Sequence, residues 1–386
     1  MKTKLVFATL AVAFVISLFP APTDHVRAGE PKSIAAVLQP FVDGNSLAGA
    51  VTLVANKDKV LSVDAVGYAD IAAKRPMLVD MLFWIASMSK PITAAALMIL
   101  VDEGKVNLDD PVEKYLPEFK GQLVQEKGKE ARKPSRLMTV RDVLSHTSGL
   151  PFGSPQETPT IDVLPLADAV RSYTKTPLLS DPGTTYRYSN AGINTAGRII
   201  EVVSGMPYET FLDKRLFSPL GMKDTTFFPN GEQLKRLAKT YRPNKDKKAL
   251  ETMPIAHLKN PLSDPKRYAC PGGGLFSTAG DIGIFGQMVL NGGAYKGKRY
   301  LSESAVKEMS SRQTAKEIPT SYGLGWSVGG GSFGHGGAYS TNMTIDTKRG
   351  LVTVFMVQHA GFANDGGKSQ GAFRKAAEDR FGNAKN

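Results

Sequence analysis

The chain is poor in the residues that build covalent or metal-stapled folds. It holds one cysteine, Cys270, in 386 residues, which excludes an internal disulfide framework and any cysteine-rich metal or redox motif. A lone cysteine with no histidine near it in sequence reads as a buried small hydrophobe rather than a nucleophile. Histidine is nearly as scarce, at five. These are scattered and never form His-Glu-x-x-His, so no metal site and no cofactor is expected. Long runs of one charge are missing too. The clusters at residues 127–133 and 242–248 lack interleaved aromatics, and they read as solvated loops rather than a nucleic-acid surface. Residues 292–298 imitate a phosphate loop, but Arg299 stands where a magnesium-binding Ser or Thr is required. Past residue 28 no stretch is apolar enough to span a bilayer.

What remains is an ordinary globular composition, 42% hydrophobic and 22% charged, with ample material for a large core. Residues 1–28 read as a secretory leader. Lys2 and Lys4 form its charged start, Leu5 to Phe19 an apolar stretch too short to span comfortably, and Val26-Arg27-Ala28 a small-residue cleavage site. The formal charge is +12, or +10 once Lys2, Lys4, Arg27 and Asp24 are set aside with the leader. The mature chain is expected to be exported, periplasmic or secreted, with no transmembrane segment after leader removal.

From residue 29 the pattern runs from strands to helices and back to strands. Two strand-like runs, 48–55 and 60–66, are joined by the polar turn Asn56-Lys57-Asp58-Lys59. Helical stretches follow at 91–101, after Asp110-Pro111 with Asp as the cap, after the capping box Thr139 to Asp142, and at 164–173 and 191–204. Residues 236–268 lack periodicity and read as a long surface excursion. A helix from Thr278 to Leu290 precedes strands at 323–328, 340–346 and 351–358, and an amphipathic helix at 369–381 closes the chain. The expected architecture is α+β: one antiparallel sheet built from both chain ends, flanked by helices, with a mostly helical insertion. The sheet parts are about 29–86 and 291–386, the helical part about 87–290, within one domain over 29–386. A site is expected where sheet and insertion meet.

Three groups carry chemistry. Ser87-Met88-Ser89-Lys90 opens the first long helix, with Lys90 one turn beyond Ser87 on the same face. A serine hydroxyl is a poor nucleophile until a neighbour takes its proton. A lysine can do so when burial beside a positive helix end keeps it neutral. The same four residues also describe a helix cap followed by a surface lysine. Tyr188-Ser189-Asn190 precedes another helix. Beside a lysine the Tyr188 phenol would be more acidic and could shuttle a proton. Asn190 could hold Lys90, bind a substrate carbonyl, or simply cap its helix. His335-Gly336-Gly337-Ala338 is a glycine turn leading into a strand, where a substrate can approach backbone N–H donors.

Read together, Ser87-x-x-Lys90, Tyr188-x-Asn190 and His335-x-Gly337 resemble the three boxes of the serine β-lactamase and penicillin-binding-protein superfamily. The tyrosine in the second box is similar to the class C β-lactamase branch. That branch includes D-Ala-D-Ala carboxypeptidases, D-amino-acid peptidases and amidases, and family VIII carboxylesterases. Residues 144–150, 219–225 and 272–278 also resemble its segments, so the likeness covers nearly the whole mature chain.

The resemblance implies a β-lactamase-like fold and acyl transfer. Ser87 is the nucleophile, Lys90 and Tyr188 handle its proton, Asn190 orients the substrate, and the N–H groups of Ser87 and Ala338 bind the oxyanion. The third box departs from the β-lactamase pattern: His335 stands for lysine and Gly336 for a hydroxyl residue. A histidine is mostly neutral at pH 7, so a substrate carboxylate loses its partner. This favours hydrolysis of an ester, or of an uncharged amide or peptide. D-Ala-D-Ala carboxypeptidase or weak class C-type β-lactamase activity is the alternative, and a non-catalytic protein binding peptidoglycan or β-lactams is the rival from another class. Two Gly-x-Ser-x-Gly stretches, at Ser327 and Ser332, with Asp346 and His359 after them, imitate a hydrolase elbow and triad, but no helix follows either serine. His146 reads as structural, and Trp326 as a core or cleft-wall residue.

Overall fold

The computed structural model describes residues 33–382; the expected leader, residues 1–28, lies outside them. Seven strands form one antiparallel sheet: β1 (Gly49–Ala55), β2 (Val60–Asp70), β3 (Arg75–Pro76), β4 (Ser327–Gly329), β5 (Ser332–Gly336), β6 (Asn342–Asp346) and β7 (Leu351–Met356). Their order across the sheet is β4-β5-β6-β7-β1-β2-β3. The two chain ends therefore meet at the centre, where Val51 lies opposite Met356 and Val54 opposite Thr353. The expected α+β architecture holds.

Every residue of β1 is buried, because both faces of the sheet are covered. Ala50, Val54, Leu351 and Phe355 pack with Ile34, Leu38 and Phe373, the last from the closing helix Ser369–Phe381. Val51, Leu53, Val352 and Val354 face the opposite core. There the helix Ala279–Leu290 lies close against the sheet. A Cβ added at Gly283 would come 2.8 Å from Leu53 Cδ2, and one at Gly286 would come 2.5 Å from Val352 Cγ1. Continuous burial explains why β1 reads as a nearly continuous apolar run, interrupted by Thr52, and not an alternating one.

The long helix that follows the first sheet segment, α1 (Ser89–Asp102), is buried from Ser89 through Leu100, as its all-round apolar sequence requires. The helix α2 (Val140–Ser145) begins with the expected Thr139–Asp142 capping box, and its C-cap, His146, takes the left-handed conformation at φ 60°. The helix α3 (Asn190–Ser204) is capped by Ser189, whose hydroxyl accepts the Gly192 N–H.

One local expectation needs correcting, and two others gain detail. The short helix Val112–Tyr115 has Pro111 at its cap position, with no side-chain cap. Asp110 instead binds Lys114 at 2.7 Å and the Tyr115 hydroxyl at 2.5 Å. The excursion at 236–268 carries a hairpin, with Thr240–Pro243 paired with Leu250–Met253. Its far end is fastened by Arg267 Nε donating to Asp162 at 2.7 Å, with both side chains buried. The third box straddles the end of β5: His335 and Gly336 are its last residues, and Gly337 and Ala338 enter the turn that leads to β6. The glycine-rich hairpin β4–β5, in which Ser327 lies opposite Gly334, escapes alternation-based reading because its glycines carry no side-chain pattern.

Candidate active site

Ser87 is presented by a sharp turn. Phe83–Trp84 pairs with Phe276–Ser277, and the Ile85 N–H donates to the Leu275 carbonyl at 3.0 Å. Ala86 then adopts φ 47°, a costly conformation for a residue with a Cβ, before one turn of 3₁₀ helix over Ala86–Met88. The Ser89 hydroxyl donates to Ala86 O at 2.7 Å and holds this turn shut. Between Met81 and Leu100 every residue is buried except Ser87. The turn therefore exposes one hydroxyl on an otherwise enclosed segment.

Lys90 reaches three groups: Ser87 Oγ at 3.1 Å, Asn190 Oδ1 at 2.7 Å and Gly272 O at 2.5 Å. Asn190 Oδ1 and Gly272 O can only accept, so each takes an N–H. A neutral amine has two N–H bonds and one lone pair. With both hydrogens committed, the lone pair points at the serine hydroxyl. Burial pushes the Lys90 pKa down from 10.5 to about 7, so the neutral form is well populated near neutral pH. The expectation of a buried, neutral-capable lysine within reach of Ser87 holds, and of the three readings of Asn190 it is the clamp on Lys90 that the geometry realises.

The Gly272 clamp is braced. The Gly272 N–H donates to Asn194 Oδ1 at 2.9 Å, and Asn194 Nδ2 donates to the Tyr173 hydroxyl at 2.8 Å. Tyr173 in turn donates to Glu157 Oε1 at 2.6 Å, and burial raises the Glu157 pKa. The triple glycine at 272–274 marks this segment in the sequence, but nothing there shows that one of its carbonyls would bind the lysine. A Cβ at Gly272 would stand 2.9 Å from Asn190 Oδ1, which explains the glycine.

Tyr188 packs beside the pair, with Lys90 Nζ 4.7 Å from its ring centroid. Its pKa moves opposite to expectation. Burial pushes it up to about 12, and hydrogen bonding with Ser87 only partly offsets this. The correction has a simple cause: a lysine that is itself half neutral supplies little positive charge to stabilise a phenolate. Tyr188 thus rests as a protonated phenol. Phe152, 59% exposed, stacks on its outer side at 6.4 Å between ring centroids.

The third box closes the opposite side. The Gly337 N–H donates to Thr341 O at 2.7 Å, and a Cβ at Gly337 would lie 2.5 Å from Ile85 O. Only glycine lets this edge approach the segment leading into Ser87. Among the described residues neither the Ser87 N–H nor the Ala338 N–H donates to a protein acceptor. His335 is buried, and desolvation lowers its pKa to about 3, with the Lys90 charge adding to the effect. Gly336 supplies the carbonyl that His335 Nδ1 meets at 2.7 Å. His335 Nε2 meets the Tyr322 hydroxyl at 3.0 Å, and that hydroxyl also meets His146 Nε2 at 3.2 Å. Tyr322 carried no recognisable motif in the sequence.

The remaining signals fall away from chemistry. Ser327 and Ser332 sit on a hairpin with no following helix, so no elbow exists. His359 Nε2 accepts the Ala48 N–H at 3.1 Å, and Asp346 pairs with Arg349 at 2.7 Å. Trp326 is wholly buried against Phe285 and Phe333, whereas Trp84 donates from Nε1 to Gly273 O at 2.8 Å. Burial pushes the Cys270 thiol up to about 12, which makes it inert. No group of residues suited to a metal ion occurs among the described residues, and no helix among them is long and apolar enough to cross a membrane.

The Beta-lactamase family pattern matches residues 34–376. The chain belongs to the Beta-lactamase family. Esterase EstB of Burkholderia gladioli is 31% identical over 271 residues, covering 64% of this chain and 67% of that protein. The N-acetylmuramyl-L-alanine amidase of Bacillus subtilis is 30% identical over 368 residues, covering 84% and 81%. Among solved structures, EstCE1, a hydrolase with promiscuous acyltransferase activity, superposes with a TM-score of 0.75 at 24% identity, over 89% of this chain and 97% of that one. As a member of the Beta-lactamase family, the chain is a serine hydrolase on a β-lactamase-like fold.

Proposed function

We propose that the chain is an exported serine hydrolase that works through an acyl-enzyme on Ser87, cleaving an ester or an uncharged amide or peptide. The observation that carries the reading is the arrangement at Lys90, where two carbonyl acceptors take the amine hydrogens and the lone pair faces the serine. Lys90 takes the Ser87 proton as Ser87 Oγ forms its bond to the substrate carbonyl carbon. The negative oxygen is received by the N–H groups of Ser87 and Ala338. Tyr188 gives its proton to the leaving oxygen or nitrogen as that bond breaks, and recovers one from the Lys90 ammonium. In the second half Lys90 takes a proton from water, the resulting hydroxide attacks the acyl carbon, and Ser87 leaves with a proton returned through the same pair.

The preference for uncharged substrates is supported by the third box. His335 is neutral with both ring nitrogens engaged, so it offers no cation to a substrate carboxylate, and the three partners of Lys90 are within the protein. The reading is tested by incubating the mature chain with a 4-nitrophenyl ester, a D-amino amide and a β-lactam, with intact-mass detection. An acyl mass on Ser87 and turnover fastest on the ester, both lost in Ser87→Ala, are expected. Fastest turnover on the amide would reassign it to the amidase and carboxypeptidase chemistry. Turnover retained in Ser87→Ala would overturn the mechanism, and tight binding without turnover would reveal a binding protein.

A further inference from the structure

Behind Tyr188 lies a buried hydrogen-bonded chain that the mechanism above does not use, and its direction can be read from groups whose roles are fixed. The Ser189 N–H reaches His146 Nδ1 at 3.2 Å. A peptide N–H can only donate, so that nitrogen carries a lone pair and neutral His146 holds its hydrogen on Nε2. This hydrogen points at the Tyr322 oxygen, 3.2 Å away. At the other end His335 Nδ1 meets the Gly336 carbonyl at 2.7 Å. A carbonyl can only accept, so Nδ1 carries the hydrogen and Nε2 the lone pair. That lone pair lies 3.0 Å from the Tyr322 hydroxyl, which donates to it. One proton arrangement satisfies every atom: Ser189 N–H to His146, His146 to Tyr322, Tyr322 to His335, His335 to the Gly336 carbonyl.

We propose that Tyr322 is a positioning residue that joins His146 and His335, held in opposite neutral tautomers by the Ser189 N–H and the Gly336 carbonyl, and so ties the Tyr188-Ser189-Asn190 segment to the His335-Gly336-Gly337 segment across the catalytic cleft. The chain rejects an extra proton at either histidine. One on His146 Nδ1 would face the Ser189 N–H, and one on His335 Nε2 would leave the Tyr322 hydrogen without an acceptor. The groups facing the two imidazoles reinforce this. The Lys90 charge acts against protonation of both, Arg374 lines the pocket that His335 shares, and Tyr186, Tyr188 and Tyr322 are held as phenols by burial. The His146 ring also packs 4.5 Å from the Tyr188 ring, and His335 lies 6.2 Å from it. Fixing the two imidazoles therefore fixes the phenol above them. This inference rests on the proposed hydrolysis only for its kinetic consequence.

The test has two readouts. In ¹⁵N-labelled mature protein, histidine ring spectra assigned with His146→Asn and His335→Asn should show His146 as the Nε2–H tautomer and His335 as the Nδ1–H tautomer. Neither should titrate between pH 5 and 8. The opposite tautomer, or an imidazolium at either position in this range, would overturn the proposal whether or not the protein hydrolyses anything. In Tyr322→Phe, kcat on an uncharged ester should fall at least tenfold with KM changed less than threefold, while both tautomers, set by Ser189 and Gly336, should persist with Nε2 shifts moved by the loss of the Tyr322 hydrogen bonds. Unchanged kcat would overturn the positioning role. If Tyr322→Phe fails to fold, the wild-type spectra alone decide. Absence of hydrolysis by wild type, with the predicted spectra intact, would instead sink the proposed function.

Discussion

At the scale of single residues, the site works by assigning each titrating group one proton state. Lys90 is drawn toward neutrality by burial, while Tyr188 is held as a phenol with its pKa near 12. The amine is the base and the phenol the acid, and their environments push them into those roles, as paired catalytic groups require. Replacing Tyr188 with Phe keeps the ring packing but removes the acid. A fall in kcat of about a hundredfold or more is expected, with a smaller change in KM, measured by steady-state hydrolysis of an ester with a poor leaving group. A 4-nitrophenyl ester, whose leaving group needs little protonation, should lose less. Equal losses on both would assign Tyr188 to packing alone.

At the scale of elements, the site stands at the junction of the end of β5, the turn before α1 and the start of α3. Much of this was readable. The Ser-x-x-Lys unit, the Thr139 capping box and the strand-rich chain ends follow from local pattern. The Lys90 to Gly272 contact was not readable, because it joins residues far apart in sequence through a backbone carbonyl, which leaves no side-chain signature. Nor was the direction of the Tyr188 shift, since sequence neighbours say nothing of burial depth. Tyr322 escaped notice, and His146 read only as structural, because each looks ordinary until the fold brings the other and His335 within reach.

The anchor at the far end of the 236–268 excursion was not legible for a similar reason: the buried ion pair between Arg267 and Asp162 joins residues far apart in sequence. Asp162 Oδ1 also accepts the Lys259 N–H at 2.9 Å, and Arg267 Nη1 donates to Leu262 O at 2.8 Å. Arg267→Met would leave a buried carboxylate unpaired. It should destabilise the protein by about 3–5 kcal/mol, read by urea unfolding. A loss under about 1 kcal/mol would show that the pair is not a structural fastening.

At the scale of the whole molecule, buried neutral histidines link stability to pH. His335 falls to about 3 and His359 to about 4 in the folded state, both through burial, against an ordinary value of 6.5. Between the folded and unfolded values the unfolded chain binds the extra proton, so stability is full above pH 6.5 and is lost as pH falls below it. Each such histidine adds a slope approaching about 1.4 kcal/mol per pH unit. Buried carboxyls such as Glu157 and Asp281, raised by burial, act in the opposite sense, so a difference measurement is needed. Urea unfolding at pH 5.5 and 4.5 should show His335→Asn losing less stability than wild type over that interval, by about 1 kcal/mol. Identical slopes would mean that His335 is charged or exposed in the folded protein.

The central claim, that a buried neutral Lys90 activates Ser87, is tested most directly by the pH dependence of acylation. Single-turnover formation of the acyl-Ser87 mass from an uncharged ester should rise with pH through one ionisation near 7 and then level off. A rate still climbing toward pH 10, as an ordinary lysine would give, or one flat from pH 6 to 9, would contradict the account.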